Sequence, residues 1–212
     1  MTTLLLIGAT GLVGQSVLKQ ALADPRISRV VALTRRPLPP AARLDNPVVD
    51  FEQLPNRAPW WDVDGVICTL GTTIREAGSR EAFRKVDLEY PLAVARLARR
   101  RGTRGFALTS SIGADPASRS FYLRTKGEVE QGLRDCAFPS LTLVRPSVIG
   151  GARDALRPGE LLAKGVLRVI APVLPLRLRV VPAERIAAAL LEAAIAAPAG
   201  VHIIESEALL VK

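Results

Sequence analysis

The sequence predicts an α/β fold, a doubly wound parallel sheet in a single domain of 212 residues. Three observations carry this. Short apolar runs alternate with stretches of helical period. The segments between runs are long enough for the crossover helices that parallel pairing requires. A glycine-rich turn follows the first run directly. With 49% hydrophobic and 23% charged residues, a chain of this length buries a core without disulfides or a structural metal.

Leu4-Leu5-Leu6-Ile7 is an apolar run closed by glycine, the pattern of a buried parallel strand. Leu12–Ala23 carries Val13, Val17, Leu18, Ala21 and Leu22 at helical spacing, and Asp24-Pro25 ends it. Val30-Val31-Ala32-Leu33 reads as the second strand, Val48-Val49 as a short third and Gly65-Val66-Ile67-Cys68-Thr69-Leu70 as the fourth. A helix is expected over residues 79–101, broken or kinked near Tyr90 because Pro91 falls inside it. Phe106-Ala107-Leu108-Thr109 is the fifth strand, residues 119–136 a helix, and Leu141-Thr142-Leu143-Val144 the sixth strand. Beyond Pro146 the chain is Pro-rich and less periodic, until a helix over residues 182–197 and a last strand at Val201-His202-Ile203-Ile204.

Composition narrows the chemistry. One histidine and two cysteines far apart, Cys68 and Cys136, exclude a zinc finger or His-rich metal site and speak against a disulfide framework. A Ser-His-Asp hydrolase would rest on His202, which lies in an apolar run and reads as structural. Cys68 reads as a small core hydrophobe. The net charge of +9, from 29 Lys and Arg against 20 Asp and Glu, is spread along a chain with only 4% aromatics, so it reads as a solvated surface rather than a nucleic-acid platform. Arg99-Arg100-Arg101 complements a helix C-terminus. Trp60-Trp61 suits either an anchor for a partner or homodimer, or packing at the core edge. The apolar start lacks a positive n-region, and Arg168, Pro172 and Pro175 interrupt residues 166–176, so neither a targeting segment nor a membrane span is expected and the expected location is cytoplasmic.

The turn Gly8-Ala9-Thr10-Gly11-Leu12-Val13-Gly14 joins the first strand to the first helix. There the first glycine permits the turn, the second lets backbone approach a pyrophosphate, and the third allows close helix–strand packing, with helix N–H groups facing the phosphates. This predicts dinucleotide binding. The second strand ends in Thr34-Arg35-Arg36, with no carboxylate for ribose hydroxyls and two guanidiniums suited to a 2′-phosphate, so NADP(H) is preferred over NAD(H).

Tyr122 and Lys126 stand four apart on a helix that follows a strand ending in Thr109-Ser110-Ser111. The ammonium on the same face favours the phenolate of a group that ordinarily titrates near pH ~10, making Tyr122 an acid–base candidate. A strand-end serine can hydrogen-bond a substrate carbonyl.

Together the glycine turn, the serine pair, Tyr122-Leu123-Arg124-Thr125-Lys126 and Arg145-Pro146-Ser147-Val148-Ile149-Gly150 resemble an extended or atypical short-chain dehydrogenase/reductase. Cys68-Thr69-Leu70-Gly71-Thr72-Thr73, Lys85-Val86-Asp87, Ser110-Ser111-Ile112-Gly113-Ala114-Asp115, Lys126-Gly127-Glu128-Val129-Glu130 and Arg157-Pro158-Gly159-Glu160 are similar to the Tat-interacting-protein group within it. The resemblance implies a Rossmann-like domain, residues 1–145 its cofactor core and 146–212 its substrate side. It implies NADPH along Gly8, Thr10, Gly11, Leu12, Val13 and Gly14, with Arg35 and Arg36 at the 2′-phosphate. Asp50 and Phe51 would lie beside adenine, Leu70, Gly71 and Thr72 along the adenosine ribose and phosphates, and Pro146 and Ser147 at the nicotinamide. Tyr122 would be the acid in carbonyl reduction, with Lys126 lowering its pKa. Ser110 and Ser111 lie closer to Tyr122 than the family pattern has its serine; either hydroxyl could serve, with Ser111 preferred. The alternatives are an NADPH-binding redox sensor without turnover, and an epimerase or dehydratase that retains its nicotinamide. Specificity for a small carbonyl or alcohol substrate would lie in the loops after strands five and six and in residues 153–178.

Overall fold

The computed structural model describes residues 1–150 and 175–211. Its strands are β1 (Thr2–Ile7), β2 (Ile27–Leu33), β3 (Leu44–Asp45), β4 (Gly65–Cys68), β5 (Gly105–Thr109), β6 (Ser140–Arg145), β7 (Ile149–Gly150), β8 (Val181–Pro182) and β9 (Gly200–Glu205). Seven of them form a parallel sheet in the order β3-β2-β1-β4-β5-β6-β9, and β7 pairs separately with β8. The helices are α1 (Leu12–Ala23), α2 (Ile74–Ala77), α3 (Arg80–Arg84), α4 (Tyr90–Arg100), α5 (Phe121–Asp135) and α6 (Ala183–Ala196). This is the expected doubly wound, Rossmann-like sheet, and its order reverses at β1, between β2 and β4.

Strand alternation divides the core. Leu5, Ile7, Val66, Cys68, Phe106, Leu108, Leu141 and Leu143 point to the side covered by Val94, Ala95 and Ala98 of α4 and Val129 and Leu133 of α5. Leu4, Leu6, Val30, Ala32, Ile67 and Ala107 point to the other side, against Val13, Val17 and Ala21 of α1 and Ile186, Ala187 and Leu190 of α6. Both faces are dry, which is why the strands read as continuous apolar runs.

Several elements differ from expectation for local reasons. The third strand is Leu44–Asp45, and Val48 makes only a single bridge, to Thr34. Pro47 has no N–H to extend a ladder, and Asn46 takes over, its Nδ2 donating to the Ala32 carbonyl at 2.6 Å and to Thr34 Oγ1 at 2.8 Å. The helix expected over residues 79–101 is α3, a π-helical turn at Lys85–Glu89, and α4. The wide turn lies just ahead of Pro91, whose missing N–H already forfeits a ladder bond. The sequence pattern did not anticipate α2, which Thr73 caps by accepting from Glu76 N–H at 3.1 Å. Trp61 is fully buried, its Nε1 donating to the Pro55 carbonyl at 2.7 Å, so its role is core packing. His202 lies exposed on β9, with Nε2 3.0 Å from the Ala199 carbonyl oxygen.

Arg157-Pro158-Gly159-Glu160 and most of the expected specificity segment, residues 153–178, lie outside the described residues. Among those described, no helix is long and apolar enough to cross a membrane, and no cluster of His, Cys, Asp and Glu could hold a metal.

Candidate functional site

A cleft of about 520 Å³ opens at the carboxyl ends of the strands where the order reverses, lined by residues following β1, β2 and β4. Two glycines of the first turn are obligatory. Gly8 has φ +88°, and a Cβ there would lie 2.6 Å from the Thr69 carbonyl carbon. A Cβ on Gly14 would lie 2.0 Å from the Gly8 carbonyl oxygen, because α1 enters against that backbone. Gly11 is different in kind: a Cβ would meet only the Gly8 oxygen, at 3.4 Å, and the residue lines the cleft as the N-cap of α1. The N–H groups of Leu12, Val13 and Gly14 lie in the first turn of α1, where the helix supplies no acceptor. Val13 turns its side chain into the core, leaving backbone as its means of reaching a ligand.

The other expected cofactor residues are placed unevenly. Thr10, Leu70, Gly71 and Thr72 line the cleft. Arg35 lines it too, whereas Arg36 is exposed outside the lining and gives its carbonyl to Thr34 Oγ1 at 2.7 Å. Phe51 is buried in the core with its ring 5.4 Å from that of Tyr90, and Asp50 Oδ1 accepts from Glu52 N–H at 2.9 Å. Glu52 itself reaches the cleft, where Lys85 Nζ lies 2.7 Å and Tyr90 OH 3.2 Å from its Oε1. Those two hydrogen bonds, Lys85 first, hold the Glu52 carboxyl below the usual carboxylate range. The Pro146 carbonyl accepts from Ile112 N–H at 3.0 Å, which joins the segment after β6 to the serine loop. Ser147 Oγ donates to the Arg179 carbonyl at 2.5 Å and accepts from Ser206 Oγ at 3.0 Å.

At the start of α5, Phe83 packs under both Phe121 and Tyr122, with centroids 5.7 and 5.9 Å away, so the Tyr122 ring rests on a core residue while remaining 37% exposed. One turn on, Lys126 is buried, and its Nζ lies 2.7 Å from Asp87 Oδ1 inside the π turn. Asp87 Oδ2 accepts from Thr72 N–H at 2.9 Å. A Cβ on Gly71 would stand 3.7 Å from Asp87 Oδ1 and 3.9 Å from Lys126 Nζ, so this ion pair borders the cleft. Burial pulls the lysine down, but the Asp87 carboxylate and then Tyr122 outweigh it, and the ammonium stays above the ordinary lysine range.

The two serines diverge. Ser110 Oγ donates to Glu130 Oε1 at 2.6 Å, and Arg145 holds the same buried carboxylate. Ser111 Oγ makes only a 3.3 Å contact with the Ile112 carbonyl. Their loop lies flat on α5 at Gly127, where a Cβ would fall 2.1 Å from Pro116 N and 2.2 Å from the Asp115 carbonyl carbon.

Sequence reasoning gave no site role to Glu52, Lys85, Asp87 or Glu130. For Glu130 a signal was available: it stands four residues after Lys126, as Lys126 stands after Tyr122, so all three share one face of α5. Asp87 stood in the motif Lys85-Val86-Asp87 but nothing local showed its role, since its partner is 39 residues away and is brought to it by the fold.

No family model matches the chain. Protein HTATIP2 of Rattus norvegicus is 40% identical over 164 residues, 75% of this chain and 67% of that protein. Protein fmp52, mitochondrial, of Emericella nidulans is 35% identical over 174 residues, 77% of this chain and 74% of that one. Among solved structures, UDP-glucuronic acid 4-epimerase from Bacillus cereus in complex with NAD superposes with a TM-score of 0.71 at 13% identity, covering 96% of this chain and 78% of the epimerase, a likeness of fold. The expected cytoplasmic location is overturned by the fungal relatives, which are named mitochondrial. With 40% identity to one relative and 35% to another over most of their lengths, the chain belongs to the HTATIP2 and FMP52 family of Rossmann-like proteins.

Proposed function

We propose that the protein is an NADP(H)-dependent oxidoreductase that reduces a carbonyl, with residues 1–145 holding the cofactor and 146–212 forming the substrate side of one domain. The observation that carries this reading is the convergence, at one end of the sheet, of a cleft framed by Gly8, Gly11 and Gly14 and the Tyr122–Lys126 face of α5, which meets that cleft at Gly71. The residues present fit a dinucleotide: two glycines are compressed against backbone so that the third can face a ligand, and Arg35 offers a forked donor to a 2′-phosphate. The nicotinamide, when bound, would supply hydride.

The chain's own residues would do the rest. Ser111 would donate a hydrogen bond to the carbonyl oxygen. Tyr122 would give that oxygen its phenolic proton, and the Lys126 charge would stabilise the phenolate left behind. Lys126 would also bind ribose hydroxyls from its place beside Gly71.

A second reading draws on the same phenol, which can take up a proton and later return it. An epimerase or dehydratase would use Tyr122 in this way and consume no added NADPH. The deciding experiment is titration with NADPH and NADH by nicotinamide fluorescence, then an aldehyde and ketone screen with Tyr122→Phe as control. Net NADPH oxidation lost in the variant supports the reductase. Product formed without oxidation supports the epimerase, and binding without turnover of any kind supports a redox sensor.

A further inference from the structure

The pair formed by Asp87 and Lys126 has a property that neither residue has alone. Both side chains are almost wholly buried, at 1% and 6% exposure, and the carboxylate is divided between two elements. One oxygen faces the ammonium on α5 at 2.7 Å, and the other receives the backbone N–H of Thr72, in the loop lining the cleft, at 2.9 Å. The groups facing the lysine are Asp87 from the π turn, Tyr122 from its own helix and Cys68 from β4. Burial pushes the Cys68 thiol up to about 12, and the ion-pair partner of the ammonium is the Asp87 carboxylate at 2.7 Å. A buried ammonium with no counter-charge gives up its proton or leaves the interior.

We propose that Asp87 is a positioning residue: it holds the Lys126 ammonium, still protonated, at the Gly71 edge of the cleft and ties it through Thr72 to the loop that would line a bound dinucleotide. The inference rests on the dinucleotide reading of the cleft. The π turn contributes directly, because it is the segment that carries Asp87 into the interior.

The test compares wild type, Asp87→Asn and the double variant Asp87→Asn with Lys126→Met. The asparagine oxygen can still accept from Thr72, so charge is the main loss. NADPH affinity is read by nicotinamide fluorescence from about pH 6.5 to about pH 9.5, and melting is followed without dinucleotide over the same range. Wild type should change affinity by less than about threefold across that range. In Asp87→Asn the uncompensated lysine should lose its proton within it, so affinity should fall about tenfold or more as pH rises. The ligand-free variant should become more stable over the same interval, because the unfolded chain then binds the proton that the folded chain has released. The double variant should melt above the single one, since removing the cation removes the need for the carboxylate.

An Asp87→Asn protein whose affinity and melting follow pH as the wild type does would overturn the proposal. So would failure of both variants to fold, which would give Asp87 a role beyond charge. A single variant that does not fold beside a double variant that does supports it. Wild type that takes neither dinucleotide overturns instead the reading on which the proposal rests.

Discussion

Ser110 gives its hydroxyl proton to Glu130, 2.6 Å away, in an interior where Arg145 grips the same carboxylate through Nε at 2.9 Å and Nη2 at 2.5 Å. A hydroxyl so engaged is withdrawn from substrate, whereas Ser111 next to it has only a long bond to break. Ser111→Ala should therefore lower kcat by about 10²–10³-fold with little change in dinucleotide affinity. Ser110→Ala should leave turnover within about threefold and lower stability by about 1–3 kcal/mol, as read by denaturant melts.

Arg35, rather than Arg36, should decide cofactor preference, because it is the one that lines the cleft. Arg35→Asp should weaken NADPH by about 10–100-fold and leave NADH nearly unchanged in paired fluorescence titrations.

Lys85 should matter to the same preference by a different route. Its ammonium, 2.7 Å from Glu52, neutralises a carboxylate that would otherwise face the ligand uncompensated. With the Glu52 carboxyl held below its usual range, the charge persists at every working pH and is lost only in acid. Lys85→Ala should thus weaken NADPH more than NADH, and Glu52→Gln in the same protein should restore the balance.

Gly14→Ala should be poorly tolerated. The atom it would strike, the Gly8 carbonyl oxygen at 2.0 Å, is backbone and cannot swing aside. A loss of about 2–3 kcal/mol in thermal or denaturant unfolding is expected, together with loss of dinucleotide binding.

Cys68 should resist alkylation in the native protein. Burial pushes its thiol up to about 12, while Cys136 is only partly buried and more weakly raised by the same cause. Iodoacetamide near pH ~8 should label Cys136 first, with Cys68 reacting only after unfolding, as followed by mass spectrometry.

What could be read from the chain, and what could not, divides by distance in sequence. The first turn, the strand ends at Arg35 and Ser111, and the Tyr122–Lys126 spacing are local patterns, visible in the sequence because each lies within a few residues. The third strand was misplaced at Val48-Val49 because β propensity outweighed Pro47, whose missing donor hands the pairing to Asn46. Pro91 correctly marked an irregular helix, but the form it takes, a π turn that buries a carboxylate, depends on Lys126 and Thr72 from elsewhere in the chain. The difference between the two serines, of which the sequence reading prefers Ser111, likewise depends on Glu130 and Arg145, which the fold brings to Ser110 from elsewhere in the chain.

Gly127 has a consequence for how such a site can diversify. Where the serine loop crosses α5, the Asp115–Pro116 main chain and the proline ring lie directly on the helix that bears Tyr122 and Lys126, with no room for a Cβ between them. A spacing fixed that way has no adjustable part: exchanging a nearby residue for a larger or smaller one gives a descendant no means of moving the hydroxyl relative to the phenol. On the proposed reading, a descendant would acquire a new substrate through residues away from this crossing, with the proposed proton-transfer spacing kept as it is.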